Sequence, residues 1–466
     1  MNDRPRVVLA DPLAAEGVAI LEADSRLQVE DYSSRSREEL RDGLAGAGGL
    51  IVRSGTQADE ELIAAGDSLR VVGRAGVGLD NVDLEAATRQ GVAVMNAPAG
   101  NTVSTAELAF ALLLSAARKI PAADRSLRSG DWDRKTHRGA QLSGKTLGVI
   151  GAGRIGAAVI QRARAFGMKV IVADPYMTGE RARDMYVELM ELDDMLPRVD
   201  FLTLHVPLTR ETEHLLDARR IALLQPHAVV VNAARGGIVD EDALAEALRD
   251  GRIAGAALDV YENEPLRQDH PLRDVPNLVL TPHLGAATHD AQREVAIEIA
   301  TSVRAALLDD DFSKAVNMPP FAPGDRDRLR PVLDLGERLG SVLGEVAQGG
   351  VSEVSVRYGG EVQRGLRLIS SSVLIGLWRV RLDATLNLIN ALPLARERGI
   401  SVSRSRMGEI TGYRGVLDVS ARFGDEVHSV TGVVQPEGEL RLLRIDGYHA
   451  VSYTHLRAHE TQPVIA

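Results

Sequence analysis

Cysteine is missing from all 466 residues, so disulfides, thiolate nucleophiles, cysteine-held metals and redox-thiol chemistry are excluded from the outset. Aromatics are nearly as scarce, at 3% against 45% hydrophobic residues in all. An interior must therefore be assembled from Ala, Val, Leu and Ile, which suits helices packed on a buried parallel sheet. Blocks of like charge are also lacking: the formal charge is −11, and arginines are scattered among acids, which argues against a nucleic-acid surface. No apolar run approaches bilayer length. The longest, residues 108–117, follows the cap-like stretch from Asn101 to Thr105 and reads as a buried helix. Asp11 and Glu16 interrupt the first 21 positions, where a signal peptide would need a continuous apolar run, so the expected compartment is the cytoplasm. Neither a repeat of fixed period nor a low-complexity segment is present.

What is there begins as an α/β alternation. Residues 6–10 form a β-type run closed by Asp11 and Pro12, a helical pattern follows to Leu21, and strand-like runs recur at 50–52, 71–73 and 92–95. A second, longer series starts at 146–150 and continues at 169–173, 201–205, 228–232, 255–260 and 278–280. Such runs predict parallel strands covered on both faces. Between 318 and 325 lie Pro319, Pro320 and Pro323, the composition of a linker, and a boundary near 320 follows. Beyond it, residues 347–358 and 416–445 alternate like strands, while 386–398 reads as a helix broken or kinked at Pro393. These predict a separate α+β domain.

The second series opens with a strand that runs into Gly151, Gly153 and Gly156, then a helix, a second strand and Asp174, 18 residues after Gly156. Gly151 would permit a tight turn, Gly153 would let backbone approach a pyrophosphate at the helix N-terminus, and Gly156 would allow close helix–strand packing. Asp174 stands where an acid accepts from ribose hydroxyls, and its charge disfavours a 2′-phosphate, so the loop predicts NAD over NADP. The plainer readings are a structural turn for the glycines and a helix-initiating acid for Asp174.

Three further residues end strands of the second series. Arg235 lies in the small-residue loop from Asn232 to Gly237, Glu264 in the segment from Asp259 to Pro265, and His283 between Thr281 and Gly285. Oxidation of a secondary alcohol needs a base for the hydroxyl proton and a cation for a neighbouring carboxylate, and these residues supply both at the sheet edge where open α/β folds bind ligands. Singly, they could be a surface ion pair, a solvated loop acid and a turn residue. His205 and His227 are weaker candidates for the base. His455 and His459 share helical spacing without a third ligand, so no metal site is expected. In the first series, Arg53 with Ser54 and Arg74 with Gly76 sit in loops after apolar strands that can collect an anion.

With these motifs in order, residues 4–445 resemble the D-isomer-specific 2-hydroxyacid dehydrogenases. The resemblance implies a doubly wound parallel-sheet NAD domain inserted in a smaller α/β substrate domain, plus a C-terminal α+β accessory domain. It implies a substrate domain over 1–98 and 283–317, an NAD domain over 99–282 and an accessory domain over 318–450; the tail 451–466 matches none of these and reads as non-native or disordered. Carried over, His283 is the acid/base, Glu264 orients it and raises its pKa, and Arg235 holds the substrate carboxylate and carbonyl. Arg154, Ile155, Val206, Ala233, Ala234, Gly285 and Ala286 join the glycines and Asp174 around NAD, and Asp259 touches the nicotinamide carboxamide. Arg53, Ser54, Arg74 and Gly76 bind substrate, Asn101 offers the N-terminus of the inter-domain helix, and Arg134 reaches a neighbouring subunit's site. Val77 departs from the Thr that many relatives carry. The accessory module marks the long branch of the family, which acts on a phosphorylated 2-hydroxy acid and forms homodimers or homotetramers, with no nucleic-acid or membrane partner. In that branch a regulatory domain follows, and the native chain is expected to continue into it. Hydroxypyruvate or glyoxylate reduction, and an idle NAD-sensing interaction protein, stay open as alternatives.

Overall fold

The computed structural model describes residues 4–319, 325–346, 349–360, 365–379, 386–408 and 412–450. The tail 451–466, with His455 and His459, and most of the proline-rich stretch near 320 lie outside these. The chain divides into two compact units, Met1–Ala97 with Ala296–Ala466, and Pro98–Val295. Among the described residues no helix is long and apolar enough to cross a membrane.

The first unit opens with five parallel strands, β1 (Arg6–Leu9), β2 (Gln28–Asp31), β3 (Ala47–Val52), β4 (Val71–Arg74) and β5 (Ala93–Asn96), in the order β2-β1-β3-β4-β5. Every residue of β3 is buried, the continuous apolar strand that a sheet covered on both faces requires. One cover is the second half of the helix His289–Asp309: a Cβ on Gly73 would meet Val303 Cγ2 at 2.6 Å and Ile299 Cγ1 at 2.9 Å, so the bare strand lets this helix settle. The sequence reading missed β2, because an edge strand reading Gln-Val-Glu-Asp, exposed at both ends, carries no apolar signal.

The second unit is a seven-stranded parallel sheet. Its strands are β6 (Thr146–Ile150), β7 (Lys169–Ala173), β8 (Glu188–Leu189), β9 (Phe201–Leu204), β10 (Val229–Asn232), β11 (Gly255–Leu258) and β12 (Leu278–Leu280), ordered β12-β11-β10-β9-β6-β7-β8. The chain winds outward in both directions from β6, so the C-terminal ends of β6 and β9 flank the topological switch point where such sheets take ligands. Two separate apolar clusters cover the two faces, one centred on Leu202, Val230 and Leu244, the other on Leu113, Leu147 and Val231. Each fully buried Leu or Val contributes about 1.5–3 kcal/mol. This unit runs to Val295, past the expected end at 282. The reason is local: Gly285 O accepts Ser104 Oγ at 2.8 Å and Thr105 Oγ1 at 3.0 Å, which ties the turn after β12 to the helix Thr102–Ala117.

The remainder of the first unit is a mixed sheet of β13 (Val351–Gly360), β14 (Ser401–Arg406), β15 (Gly415–Phe423), β16 (Glu426–Val434), β17 (Leu440–Ile445) and β18 (Tyr448–His449), ordered β14-β13-β15-β16-β17-β18, with the helices Arg326–Val346 and Leu366–Trp378 packed together. Its core gathers Leu335, Leu339, Val356, Ile369, Trp378 and Val419. The break expected at Pro393 does not occur. The helix starts at Ala391, after Asn390 as its N-cap, so Pro393 falls in the first turn, where its missing N–H leaves no hydrogen bond unmade.

Candidate active site

The turn after β12 is shaped by one buried acid. Asp259, fully buried, follows β11 and accepts three bonds from this turn: Thr281 Oγ1 at 2.6 Å and Leu284 N–H at 2.7 Å on one oxygen, Gly285 N–H at 3.0 Å on the other. Its main-chain carbonyl accepts the N–H of His283 at 2.9 Å. The sequence reading sets Asp259 against the cofactor; in the structure its carboxylate is buried and both oxygens accept bonds from the turn. Burial pushes the Asp259 carboxyl up, a cost these donors offset in part. His283 is thereby held at φ 53°, in the left-handed region that a β-carbon disfavours.

Held in this way, His283 Nδ1 meets Glu264 Oε2 at 2.6 Å. The other oxygen of Glu264 accepts the N–H of Tyr261 at 3.0 Å. The hydrogen bond that His283 donates to Glu264 raises the His283 pKa above the ordinary imidazole range against a smaller opposing effect of burial, with the charges of Glu264 and Asp259 adding to the rise. For Glu264, burial pushes up, but His283, the Tyr261 N–H and the Arg235 charge together bring it below the usual carboxylate range. Arg235 follows β10 and donates Nη1 to the Ala234 carbonyl at 2.7 Å. Asn232 shapes its loop, donating to the Arg235 carbonyl at 2.8 Å and accepting from Ala234 N–H at 3.0 Å. A Cβ on Gly236 would lie 1.8 Å from the Tyr261 carbonyl oxygen, so only glycine lets the Arg235 and Glu264 loops touch. Arg235, Glu264 and His283 therefore come together at one sheet edge.

The other histidines differ. His205, after β9, has its Nδ1 shielded without a hydrogen-bond partner, and burial lowers its pKa to about 4. It is neutral at physiological pH and cannot serve as a proton reservoir there. His227 binds Asp200 at 2.9 Å at the opposite edge, just before β10 and β9 begin.

At the switch point Gly151 takes φ +85° with Val206 Cγ1 close by, and a Cβ on Gly156 would fall 2.1 Å from the Gly151 carbonyl oxygen. A Cβ on Gly153 meets nothing within 4 Å. Gly153 opens the helix Arg154–Ala165, so its N–H end faces clear space, with Arg154 exposed and Ile155 half-buried. A pyrophosphate fits this cradle, since a positive helix end and unblocked backbone are what it needs. Asp174 accepts Ala152 N–H at 2.8 Å on one oxygen and Tyr176 N–H at 2.8 Å on the other. It therefore fastens the glycine turn to the end of β7 at the place expected for ribose. Arg181, which the sequence reading passed over, fastens the same turn by donating to the Ala152 carbonyl at 3.2 Å. Ala233 is buried and Ala234 half-buried after β10, Gly285 is buried, and Ala286 is half-buried. Asn101 caps Thr102–Ala117 without a side-chain bond, and its Oδ1 and Thr102 Oγ1 are shielded and unpaired. Arg134 is exposed in the loop before β6.

In the first unit Arg53 follows β3 and Arg74 ends β4. Asp11 accepts the Arg53 N–H at 2.6 Å and Thr56 Oγ1 at 3.0 Å, and Arg53 Nη1 donates to the Pro12 carbonyl at 3.1 Å. Ser54 is exposed. The Arg74 guanidinium lies so close over Gly76 that a Cβ there would sit 1.5 Å from Nη1. Asn81, 7% exposed, joins the two loops: its Nδ2 donates to the carbonyls of Arg53 and Thr56, and its Oδ1 accepts Arg74 Nε at 3.4 Å.

The sequence matches the family described as D-isomer specific 2-hydroxyacid dehydrogenase, NAD binding domain, over residues 110–285, and D-3-phosphoglycerate dehydrogenase intervening domain over residues 328–446. A D-3-phosphoglycerate dehydrogenase of Methanocaldococcus jannaschii is 41% identical over 95% of this chain and 84% of its own. The chain belongs to the D-3-phosphoglycerate dehydrogenase family. A second member, from Bacillus subtilis, is 38% identical over 96% of this chain and 85% of its own. Among solved structures, a glyoxylate reductase from Paecilomyes thermophila superposes with a TM-score of 0.61 at 29% identity, covering 67% of this chain and 98% of that one. The second unit is accordingly the family's NAD-binding domain, and the mixed sheet is its intervening domain. Tyr261 and Asn81, like Arg181, escaped the sequence reading. Each acts by fastening a loop to a neighbour distant in sequence, and no local pattern announces such a partner.

Proposed function

We propose that the chain oxidises D-3-phosphoglycerate to 3-phosphohydroxypyruvate with NAD, the first step of L-serine biosynthesis. The observation that carries this reading is the 2.6 Å couple of His283 and Glu264 beside Arg235, in a member of this family. Because Nδ1 faces Glu264, it carries the ring proton, and Nε2 presents its lone pair to the substrate hydroxyl. His283 takes the hydroxyl proton as the C2–H bond breaks, and Glu264 stabilises the resulting imidazolium. A bound nicotinamide supplies the hydride acceptor at C2. Arg235 pairs with the α-carboxylate, Arg53 and Arg74 with the phosphate, and Asn101 lends the helix N-terminus. The glycine turn from Gly151 to Gly156 and Asp174 hold the dinucleotide.

We place the reaction in the cytoplasm and assign the chain to a homodimer or homotetramer. Supporting self-association, the helix Ile120–Arg128 has no buried residue, and Ile120, Leu127 and Trp132 are exposed. Arg134 belongs to the same stretch. The deciding assay follows NADH formation across 2-hydroxy acids with and without a phosphate group. Turnover with phosphoglycerate far above that with glycerate or lactate is expected; preference for an unphosphorylated acid would overturn the reading.

A further inference from the structure

Besides the His283 couple, the NAD-binding unit holds a buried glutamate beside a histidine that the reaction does not use. Glu241 opens the helix Glu241–Arg249 yet is only 7% exposed. Its Oε1 accepts the main-chain N–H of Glu262 at 2.7 Å, and its Oε2 stands 3.7 Å from His270 Nε2. His270 Nδ1 accepts the N–H of Leu272 at 3.4 Å, capping the short turn Pro271–Asp274. A ring whose Nδ1 accepts carries its neutral-state proton on Nε2, the nitrogen turned toward Glu241.

Helix capping does not explain Glu241, because Asp240 is the N-cap and already accepts the Ala243 N–H at 2.9 Å. Nor is the location favourable for charge: burial pushes the Glu241 carboxyl up, and the charges of Glu262 and Asp242 push the same way, against the Glu262 N–H and His270. What the side chain does secure is residue 262, two positions before Glu264. The Glu262 carboxylate turns elsewhere, to His214 Nε2 at 3.1 Å.

We propose that Glu241, steadied by His270, is a positioning residue for the acid/base couple: by gripping the Glu262 N–H it fixes the loop that carries Glu264 against His283. Tyr261 completes the clamp, since its hydroxyl donates to the Thr281 carbonyl at 2.8 Å and its N–H binds Glu264. The inference rests on the reading of His283 as acid/base. It requires that reach, not charge, matters at position 241.

The test contrasts Glu241→Asp, which keeps the charge but falls short of the Glu262 N–H, with Glu241→Gln, which keeps an acceptor oxygen at that distance. Glu241→Asp should lower kcat about tenfold or more with KM for NAD unchanged, the scale on which small misplacements act, and Glu241→Gln should recover most of that loss. The His283 imidazole, followed by NMR with Glu264, Asp259 and Arg235 all in place around it, should titrate at lower pH in Glu241→Asp than in the wild type or Glu241→Gln. This readout needs no turnover, so a wild-type enzyme inactive on phosphoglycerate would sink the functional reading while leaving the positioning test intact. A Glu241→Asp variant with wild-type rate and wild-type His283 titration overturns the proposal. So does a slow variant whose His283 titration has not moved, and so does a Glu241→Gln as impaired as Glu241→Asp.

Discussion

In the proposed mechanism a single proton on His283 sets both the rate and part of the cohesion of the site. His283 is raised and Glu264 lowered relative to their ordinary values. A histidine raised on folding adds stability that is complete below its unfolded value and lost as pH climbs through the folded one. A lowered carboxylate adds stability present above its unfolded value and lost as pH falls through the folded one. The couple is therefore strongest between the ordinary carboxylate and imidazole ranges. Glu264→Gln should lower the pKa of His283, moving the acid limb of the oxidation profile, and the alkaline limb of the reverse reaction, to lower pH. kcat should fall about ten- to a hundredfold with little change in NAD affinity. An unmoved profile, measured as kcat/KM against pH, would detach Glu264 from the proton. Arg235, Glu264 and His283 were legible in the sequence because each has a chemically distinctive side chain in a loop after an apolar strand. Glu241 and Asn81 were not, since an acid at a helix start and an asparagine in a loop look alike whether exposed or buried.

Among elements, legibility followed burial. The parallel strands β3, β4, β9 and β10 are nearly continuous apolar runs because both faces are covered, and they were readable for that reason. The helix Leu366–Trp378 was not, because it is buried around almost its whole circumference and leaves no apolar period. The loops after β3 and β4 illustrate how two elements share one fastener. Asn81→Ala removes acceptor and donors from both at once, leaving part-buried carbonyls without this partner at a cost of about 1–3 kcal/mol. The expected outcome is a KM for phosphoglycerate raised at least as much as by Arg53→Ala or Arg74→Ala, with a smaller change for an unphosphorylated hydroxy acid. Equal losses on both substrates would deny these loops a phosphate role.

At the scale of the molecule, the apolar clusters of the NAD-binding unit, of the first sheet and of the intervening domain are distinct. Damage to one core should leave the others standing. Leu335→Ala, at a fully buried position of the intervening domain, should cost about 2–5 kcal/mol there. It should lower one calorimetric transition while NAD titrates with unchanged affinity; a uniform shift of every transition would show a single cooperative unit. The sequence has only two tryptophans, and the fold has put them to unlike uses. Trp378 is 5% exposed in the intervening core, whereas Trp132 is 80% exposed beside the unburied helix Ile120–Arg128. The scarcity of aromatics that shaped the interior therefore also leaves the protein with a two-colour fluorescence signal: a blue-shifted emission that follows the melting of one domain, and a red-shifted one that would shift to the blue if the proposed self-association covers that helix.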